Sequence, residues 1–215
     1  MFRDRAEAGQ RLARAVDDLD LPNPFVLALP RGGVPVAVRV AEGIGAPLDV
    51  LVVRKVGVPG SPETAIGAVT AEGPPLFDQE ALRVLRLSEA DLAEAVEAER
   101  AEARRRLESY RRGASDPEVA GYDAVVVDDG LATGMSARAA LGLVRELGPA
   151  SITLAVPVGA PSAVRSMAGL CDGIVCLEQP EVFRAVSLWY ESFPQVGDQE
   201  VHDLLGAGRG EGGRA

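Results

Sequence analysis

The chain contains very little lysine, histidine or aromatic side chain. Of its 22 basic residues only Lys55 is a lysine, His202 is the single histidine, and aromatic residues make up 4% of the 215 positions. One isolated histidine argues against a histidine-based metal site and against a Ser-His-Asp triad. The arginine excess follows the overall composition, so the one remaining lysine, a compact point charge unlike the arginine fork, becomes a residue of interest.

Cysteine and long apolar runs are also scarce. Cys171 and Cys176 are the only two cysteines, and five positions apart on a predicted strand they point to opposite faces, which favours free thiols over a disulfide or a metal pair. No apolar run approaches the ~20 residues of a membrane span. Residues 1–5 are charged with no apolar stretch behind them, so we expect no signal peptide, no membrane partner and a cytoplasmic location.

The charge balance is strongly acidic, with a formal net charge of -10. A broad nucleic-acid-binding surface is therefore not expected, and an anionic substrate would need a local basic pocket. Hydrophobic residues form 47% of the chain, which is enough for a folded core at this length.

Predicted strands and helices alternate along the chain. The strands are apolar over their whole length, as in a sheet that is covered on both faces, so the predicted class is α/β with a mainly parallel sheet flanked by helices. The predicted strands span residues 25–29, 48–53, 65–71, 151–156 and 173–177, with another from residue 125. The predicted helices span residues 3–20, 34–42, 78–86, 88–112 and 136–147, and residues 54–64 are predicted as a loop rich in Gly and Pro.

The most informative stretch runs from Val125 to Ser136. An apolar strand ends in Asp128 and Asp129, and a short turn of small residues leads into an Ala- and Leu-rich helix. The amides and the dipole of a helix N-terminus favour a phosphate, and two acids beside it suit a ligand with hydroxyls or a metal ion. An ordinary junction, with Asp129-Gly130 as the turn and Ser136 as the N-cap, is the alternative, but it leaves the second acid unexplained.

This pattern of an apolar strand, Asp-Asp, a short turn and Thr-Gly-x-Ser resembles the loop that binds phosphoribosyl diphosphate (PRPP) in type I phosphoribosyltransferases. The resemblance implies that Asp128 and Asp129 hydrogen-bond the ribose hydroxyls, act in catalysis and face the Mg²⁺ bound with PRPP. It also implies that the following loop holds the 5′-phosphate. The residues of that loop are Gly130, Ala132, Thr133, Gly134, Met135 and Ser136.

Two further segments fit the same resemblance, and each follows a predicted strand. Arg31-Gly32-Gly33 resembles the diphosphate-binding loop of the family, whose peptide geometry is often unusual; a glycine-rich turn with a surface arginine is the alternative. Arg54-Lys55 resembles the basic segment of the adenine and orotate enzymes, which faces the diphosphate and leads into a mobile loop that closes over it. The resemblance makes Lys55 a catalytic candidate.

The acceptor base and the acid–base residue stay open. Glu63 and Glu72 are candidates, because the adenine enzymes place a glutamate of this loop region near the leaving base, and two solvated carboxylates are the alternative. The 6-oxopurine enzymes usually carry an acid just before the Thr-Gly of the phosphate loop, where this chain has Ala132. Hypoxanthine and guanine are therefore less expected as substrates.

The stretch 182–193 holds a large share of the few aromatic residues. Members of the resembled family carry a small hood over the active site, where an aromatic ring stacks on the base, which makes Tyr190 and Phe193 candidate base-binding residues. The alternative is an amphipathic helix that packs its aromatic side chains into the core.

The expected organisation is a single phosphoribosyltransferase domain of type I fold over residues 1–205. Its core covers about 24–178, and its C-terminal hood covers about 179–205 with a contribution from the N-terminal helix. The glycine-rich residues 206–215 are predicted to be a disordered tail.

The expected activity is transfer of the phosphoribosyl group of PRPP to a nitrogenous base with release of diphosphate. Mg²⁺ is the expected cofactor, and a homodimer is expected because type I members are commonly dimers. Two alternatives stay open: a regulator that senses PRPP or a nucleotide without turnover, and another phosphate-binding α/β enzyme such as a phosphosugar hydrolase.

Overall fold

Helices and strands alternate over most of the chain. The computed structural model describes residues 1–58, 61–111 and 119–209, with the backbone alone for residues 61–63 and 207–209. The elements are α1 (Arg5–Asp17), β1 (Pro24–Ala28), α2 (Gly33–Ile44), β2 (Leu48–Val50), β3 (Val53–Val58), β4 (Ser61–Thr70), β5 (Leu76–Phe77), α3 (Gln79–Leu85), α4 (Ala93–Arg111), β6 (Asp123–Val127), α5 (Met135–Glu146), β7 (Ser151–Val158), α6 (Pro161–Met167), β8 (Gly173–Glu178) and α7 (Asp198–Arg209), with 3₁₀ turns at Glu89–Leu92 and Val186–Trp189.

A parallel sheet with the strand order β2-β1-β6-β7-β8 forms the centre of the molecule. Its register places Ala28 beside Val127, and Val127 beside Ala155. The middle strands therefore end close together at one edge, and α/β sheets bind ligands at this carboxyl edge. The predicted class, α/β with a mainly parallel sheet flanked by helices, is confirmed.

Successive side chains of the middle strands pack into two separate cores. Val125 and Val127 lie in the core that contains α1, α2 and α7, whereas Ala124 and Val126 pack against α5 and α6. Because both faces are covered, the strands must be apolar at every position, as the sequence indicates. The loops at the carboxyl edge are thus attached to a framework that is buried on both sides.

The segment after β2 differs from the prediction. A strand as far as Val53 and a loop over residues 54–64 were expected, but β2 ends at Val50, and Val53–Val58 pairs with Ser61–Thr70 in a separate antiparallel sheet of order β3-β4-β5. The apolar run is continuous in sequence, so the change of sheet leaves no signal there. The Arg54-Lys55 segment consequently belongs to a strand rather than to a loop.

The N-terminal segment pairs with the chain that precedes α7. The amide of Phe2 donates to the carbonyl of Trp189, and the amide of Glu191 donates back to the carbonyl of Phe2. The stretch 182–193 contains only the 3₁₀ turn Val186–Trp189, so the amphipathic helix considered for it is wrong. These contacts hold the first residues of the chain against residues 189–191, near the carboxyl edge of the parallel sheet.

The last helix, α7, continues past residue 205, where the glycine content predicts the end of the folded domain. The backbone of α7 is helical to Arg209, whereas residues 206–215 were expected to be disordered. Residues 210–215 of that predicted tail lie outside the described part of the chain. Over the described ranges, no helix is both long enough and apolar enough to cross a membrane.

Candidate active site

The two adjacent acids stand at the end of β6 on a loop fastened to β7. The amide of Asp129 donates to Oδ1 of Asp128 at 2.8 Å. Further along the loop, the amide of Leu131 donates to the carbonyl of Val158, and the amide of Ala160 donates to the carbonyl of Leu131, both at 2.8 Å. Backbone bonds on both sides of Leu131 therefore hold the predicted phosphate loop in place.

The loop ends at the N-terminus of α5. Gly134 caps this 12-residue helix with φ 79°, a left-handed conformation that glycine adopts without a Cβ penalty. Ala132 and Thr133 are exposed. Among the hydrogen bonds of the described ranges, none is donated by the amides of residues 132–134. These amides and those of the first turn are thus available to an anion, in the direction that the helix dipole favours.

The predicted diphosphate loop packs directly against the acids. A Cβ atom on Gly32 would overlap Oδ2 of Asp129, and a Cβ atom on Gly33 would lie 2.8 Å from the carbonyl oxygen of Val127. The peptide bond between Pro30 and Arg31 is cis. Glycine at both positions is therefore required by the close approach of the two loops, and the structure brings these two predicted segments together.

Burial determines the electrostatics of the acids. Burial, and then the negative charge of Asp129, raise the pKa of Asp128 well above its ordinary value, while the charges of Arg5 and Lys55 act in the opposite direction. Burial also raises the pKa of Asp129, opposed mainly by Arg5. Two acids that share a confined space favour a ligand that supplies positive charge or hydrogen-bond donors.

We expect Asp128→Asn to stabilise the unliganded protein at alkaline pH. Because the folded-state pKa of Asp128 exceeds the ordinary 3.8, ionisation weakens the fold; this effect is absent below the unfolded pKa and complete above the folded pKa. Asparagine keeps the acceptor for the amide of Asp129. Thermal unfolding should show a Tm increase of about 2–4 °C or more near pH 8, the shift expected from roughly 1 kcal/mol in a chain of this size.

The gain should disappear near pH 4, about the ordinary pKa of the carboxyl. Asp17→Asn is the matched control, because Asp17 is exposed at the end of α1 and its replacement should leave Tm unchanged at either pH. An Asp128→Asn protein that is less stable than the parent near pH 8 would contradict the proposed burial effect.

Comparison with known proteins agrees with this geometry. The phosphoribosyl transferase domain family matches residues 4–187. The chain belongs to this family. Two strains of Mycobacterium tuberculosis have relatives named "Putative phosphoribosyl transferase", each 43% identical over 205 residues. The alignment covers 95% of this chain and 46% of each relative, so the chain spans about half the length of these curated relatives.

Solved structures show the same architecture. The protein TT1426 from Thermus thermophilus is 43% identical, with a TM-score of 0.83 over 95% of this chain and 97% of its own. The protein AQ2163 from Aquifex aeolicus shares the fold at 13% identity, with a TM-score of 0.53 over 94% of this chain and 83% of its own. The TT1426 match extends over almost the whole of both chains, so this phosphoribosyl transferase domain has a full-length structural counterpart.

The predicted basic pair of the domain is divided between two faces of β3. Neighbouring side chains of a strand point to opposite faces. Arg54 donates from Nε to Glu99 of α4 at 2.8 Å, whereas Lys55 is exposed on the other face and its charge acts on Asp128. Lys55 is thus placed towards the acids. The diphosphate role predicted for Arg54 stays a prediction, although its guanidinium pairs with Glu99 of α4 in this structure.

The third predicted basic residue, Arg31, lies between the diphosphate loop and α7. Its Nη1 atom is 3.8 Å from Oδ1 of Asp198. Asp198 also accepts a hydrogen bond from the hydroxyl of Tyr110 at 2.5 Å. Arg31 is half-buried, so a phosphate at the loop would compete with Asp198 for the guanidinium.

The two candidate acid–base glutamates belong to β4 and to the turn that follows it. Glu72 is exposed and accepts from Nε of Arg104 on α4 at 3.3 Å. The backbone of Glu63 lies in β4, and its side chain lies outside the described part of the structure. Both catalytic assignments stay predictions.

Of the two aromatic residues predicted to bind the base, Tyr190 is buried and Phe193 is half-buried. Tyr190 is 6% exposed, and its ring lies 5.5 Å from that of Phe2 and 4.9 Å from that of Phe193. The guanidinium of Arg5 stands 3.6 Å above the Phe193 ring. These contacts occupy the sides of the rings on which they lie. The hydroxyl of Tyr190 donates to the carbonyl of Asp129 at 2.6 Å.

A cleft of about 410 Å³ opens beside the phosphate loop. It lies between the antiparallel sheet and the start of α5. Its lining includes Gly67, Ala68, Phe77, Asp78, Thr133 and Arg138. Ala68 pairs with Lys55 across the hairpin, and paired residues of an antiparallel sheet share a face, so Lys55 belongs to the same side of the molecule as this cleft.

Asp128 and Asp129 could bind a magnesium ion that is already coordinated by the phosphates of a ligand. No group of three metal-binding side chains occurs among residues 1–58, 61–111 and 119–209. Mg²⁺ usually needs only one or two carboxylates when substrate phosphates and water supply the remaining ligands. Asp128 and Asp129 are sufficient for that arrangement, but they are not sufficient for a metal site made by the protein alone.

One residue of the site carries no signal in the sequence. Arg5 belongs to the predicted N-terminal helix, whose charges are typical of a solvated face, yet its Nε donates to Oδ2 of Asp129 at 2.9 Å across 124 positions of the chain. Only tertiary packing brings the first helix to the carboxyl edge of the sheet, so local periodicity could not reveal this contact.

Proposed function

We propose that this chain is a phosphoribosyltransferase that binds PRPP with Mg²⁺ and transfers its phosphoribosyl group to a nitrogenous base. The observation that supports it most is the direct contact between the glycine loop at Gly32 and the carboxylate of Asp129, next to the free amides before α5. PRPP carries a 5′-phosphate at one end of the ribose and a diphosphate at the other. It therefore needs hydrogen-bond donors for each phosphate group and, between them, carboxylates that accept from the ribose hydroxyls.

The proposed roles follow the order of the ligand along the edge of the sheet. The amides and hydroxyls of residues 130–136 hold the 5′-phosphate, Asp128 and Asp129 accept from the ribose hydroxyls, and the loop 31–33 faces the diphosphate. The bond between the anomeric carbon and the diphosphate oxygen breaks with its electrons leaving on the diphosphate, a bond to the base nitrogen forms, and the proton of that nitrogen passes to the departing diphosphate or to water. When bound, Mg²⁺ neutralises charge on the departing diphosphate.

This chain contributes mainly by positioning and by charge. In this proposal Lys55 and Arg31 face the leaving group, where negative charge accumulates, and cations placed in advance at such a point stabilise the transition state. Holding the base against the ribose saves the entropy of bringing two molecules together. The homodimer, the cytoplasmic location and the absence of a nucleic-acid partner stay predictions.

Lys55→Ala should weaken PRPP binding, and Arg54→Ala should not. Lys55 lies on the face of β3 turned towards the acids, and one hydrogen bond to a charged group contributes roughly 1.5–3 kcal/mol, or at least about ten-fold in affinity. Calorimetric titration of PRPP with Mg²⁺ measures the change, with ribose 5-phosphate and inorganic phosphate as reference ligands.

Arg54→Ala is the matched control, because it removes a neighbouring cation of the same strand whose partner is Glu99. Equal losses in the two variants would contradict the division between the faces. If the parent protein binds no PRPP at all, the transferase proposal fails.

A PRPP-sensing regulator is the second candidate, and the covered rings favour it. Tyr190 is buried and Arg5 occupies one face of the half-buried Phe193, so the predicted stacking surface for a base is small. Tight, magnesium-dependent PRPP binding with no diphosphate release across a panel of purine and pyrimidine bases would support the regulator over the enzyme.

A further inference from the structure

Arg5 of α1 is fully engaged at the site of the two acids. Its Nε and Nη2 atoms both lie 2.9 Å from Oδ2 of Asp129, and its Nη1 donates to the carbonyl of Pro194 at 2.8 Å. The guanidinium also covers the ring of Phe193 at 3.6 Å. With 8% of its surface exposed, this arginine is held on three sides, and it has little freedom to move.

The contact between Arg5 and Asp129 involves Oδ2 of the carboxylate and not Oδ1. Both nitrogens of Arg5 bind Oδ2, and the same oxygen packs against Gly32 of the diphosphate loop. Oδ2 is therefore enclosed between Arg5 and the loop, while Arg5 leaves Oδ1 for a ligand. The hydrogen bond from Nε and the ion pair with Nη2 converge on this one oxygen and fix its position. Since the backbone fixes the other end of the side chain, a fixed Oδ2 also limits where Oδ1 can point.

A second contact holds the same residue from its backbone. The hydroxyl of Tyr190 donates to the carbonyl of Asp129 at 2.6 Å, and Tyr190 packs against Phe2 and Phe193. The segments that meet here are the first five residues and the chain before α7. Residues 2–5 and residues 190–194 thus converge on one acid of the predicted ribose site.

We propose that Arg5 is a positioning residue of the ribose site, which orients the carboxylate of Asp129 so that Oδ1 accepts from a ribose hydroxyl. This inference rests on the proposed function and extends it, because it makes the first helix part of the substrate site. Arg5 acts through Asp129 and does not touch the ligand itself. Groups that orient a ligand-binding side chain in this way typically change affinity or activity about 10- to 100-fold when removed.

A double-mutant cycle on Arg5→Ala and Asp129→Asn tests the inference. Calorimetry with Mg-PRPP should show about a ten-fold or larger loss for Arg5→Ala in the parent background. The same change should cost little in the Asp129→Asn background, because residues that act through one another are not additive. Inorganic phosphate measures the phosphate loop alone, and its affinity should be equal in all four proteins.

Arg11→Ala is the matched control. Arg11 lies on the same helix, stands 4.6 Å above the ring of Phe2 and pairs with Glu178. It thus has the same two kinds of contact as Arg5, at a more exposed position and without the contact to Asp129. PRPP affinity should match the parent. Arg5→Lys, which keeps the charge but only one donor head, should recover part of the loss.

The outcomes separate this inference from the proposed function. No PRPP binding by the parent protein overturns the proposed function. Parent binding with an unchanged Arg5→Ala affinity overturns the inference alone, and so do additive losses in the cycle. If Arg5→Ala does not fold, as circular dichroism would show, Arg5→Lys carries the cycle with Asp129→Asn, and additivity there overturns the inference in the same way.

Discussion

Replacing Asp128 and Asp129 together by asparagine should abolish measurable binding of Mg-PRPP. The pair supplies two carboxylates that lie directly against the glycine loop, and asparagine neither neutralises Mg²⁺ nor accepts as strongly from ribose hydroxyls. Calorimetric titration measures the affinity. We expect a loss of at least about 100-fold, corresponding to roughly 1.5–3 kcal/mol for each of two charged hydrogen-bond acceptors.

The chain provides a matched control for this change. Asp17 and Asp18 form another adjacent pair, exposed at the end of α1, and their double replacement removes the same charge without touching the site. Its PRPP affinity should equal that of the parent. The assignment of the ribose site would be contradicted if the Asp128 and Asp129 double variant kept its secondary structure, as measured by circular dichroism, and bound PRPP with unchanged affinity.

Gly32→Ala should reduce PRPP affinity nearly as much as the double replacement of Asp128 and Asp129, although it removes no charged group. A Cβ atom at this position would overlap Oδ2 of Asp129, and Arg5 holds that carboxylate at 2.9 Å, so either the acid or the diphosphate loop must move. A displacement of about 1 Å in a positioned group can cost on the order of 100-fold in activity. We expect a loss of that order in PRPP affinity, measured by the same titration.

Gly197→Ala is the control, since a Cβ atom there meets nothing within 4 Å. It should bind PRPP as the parent does. Equal affinities for the parent and the Gly32→Ala protein would show that the two loops do not need to approach as closely as the structure places them.

Features that lie close together in the chain were predictable from the sequence. The strand, the acids and the helix N-terminus at residues 123–146 are contiguous, so period, composition and turn chemistry specify them locally. The glycine loop at 31–33 was predictable for the same reason. Its close approach to Asp129 was not, because the two loops meet only when β1 and β6 pair side by side.

The basic segment shows where local reasoning failed. Arg54 and Lys55 look like one cationic pair in the sequence, and a loop would allow both to face a diphosphate. The structure places them on a strand, whose alternation sends Arg54 to Glu99 and Lys55 to the side of Asp128. The strand predicted over residues 65–71 lies almost wholly within β4, but its antiparallel pairing with Val53–Val58 was not predicted, because nothing in the local pattern names the partner of a strand.

By itself the sequence determined the α/β class and the position of the predicted phosphate loop between a strand and a helix N-terminus, because both depend on contiguous residues and on backbone chemistry. Only the tertiary structure decided that Arg5 holds Asp129, that Tyr190 is buried against its carbonyl, and that the two cations of β3 separate. Each of these depends on which distant surfaces are buried together, and burial joins residues irrespective of their separation in the chain.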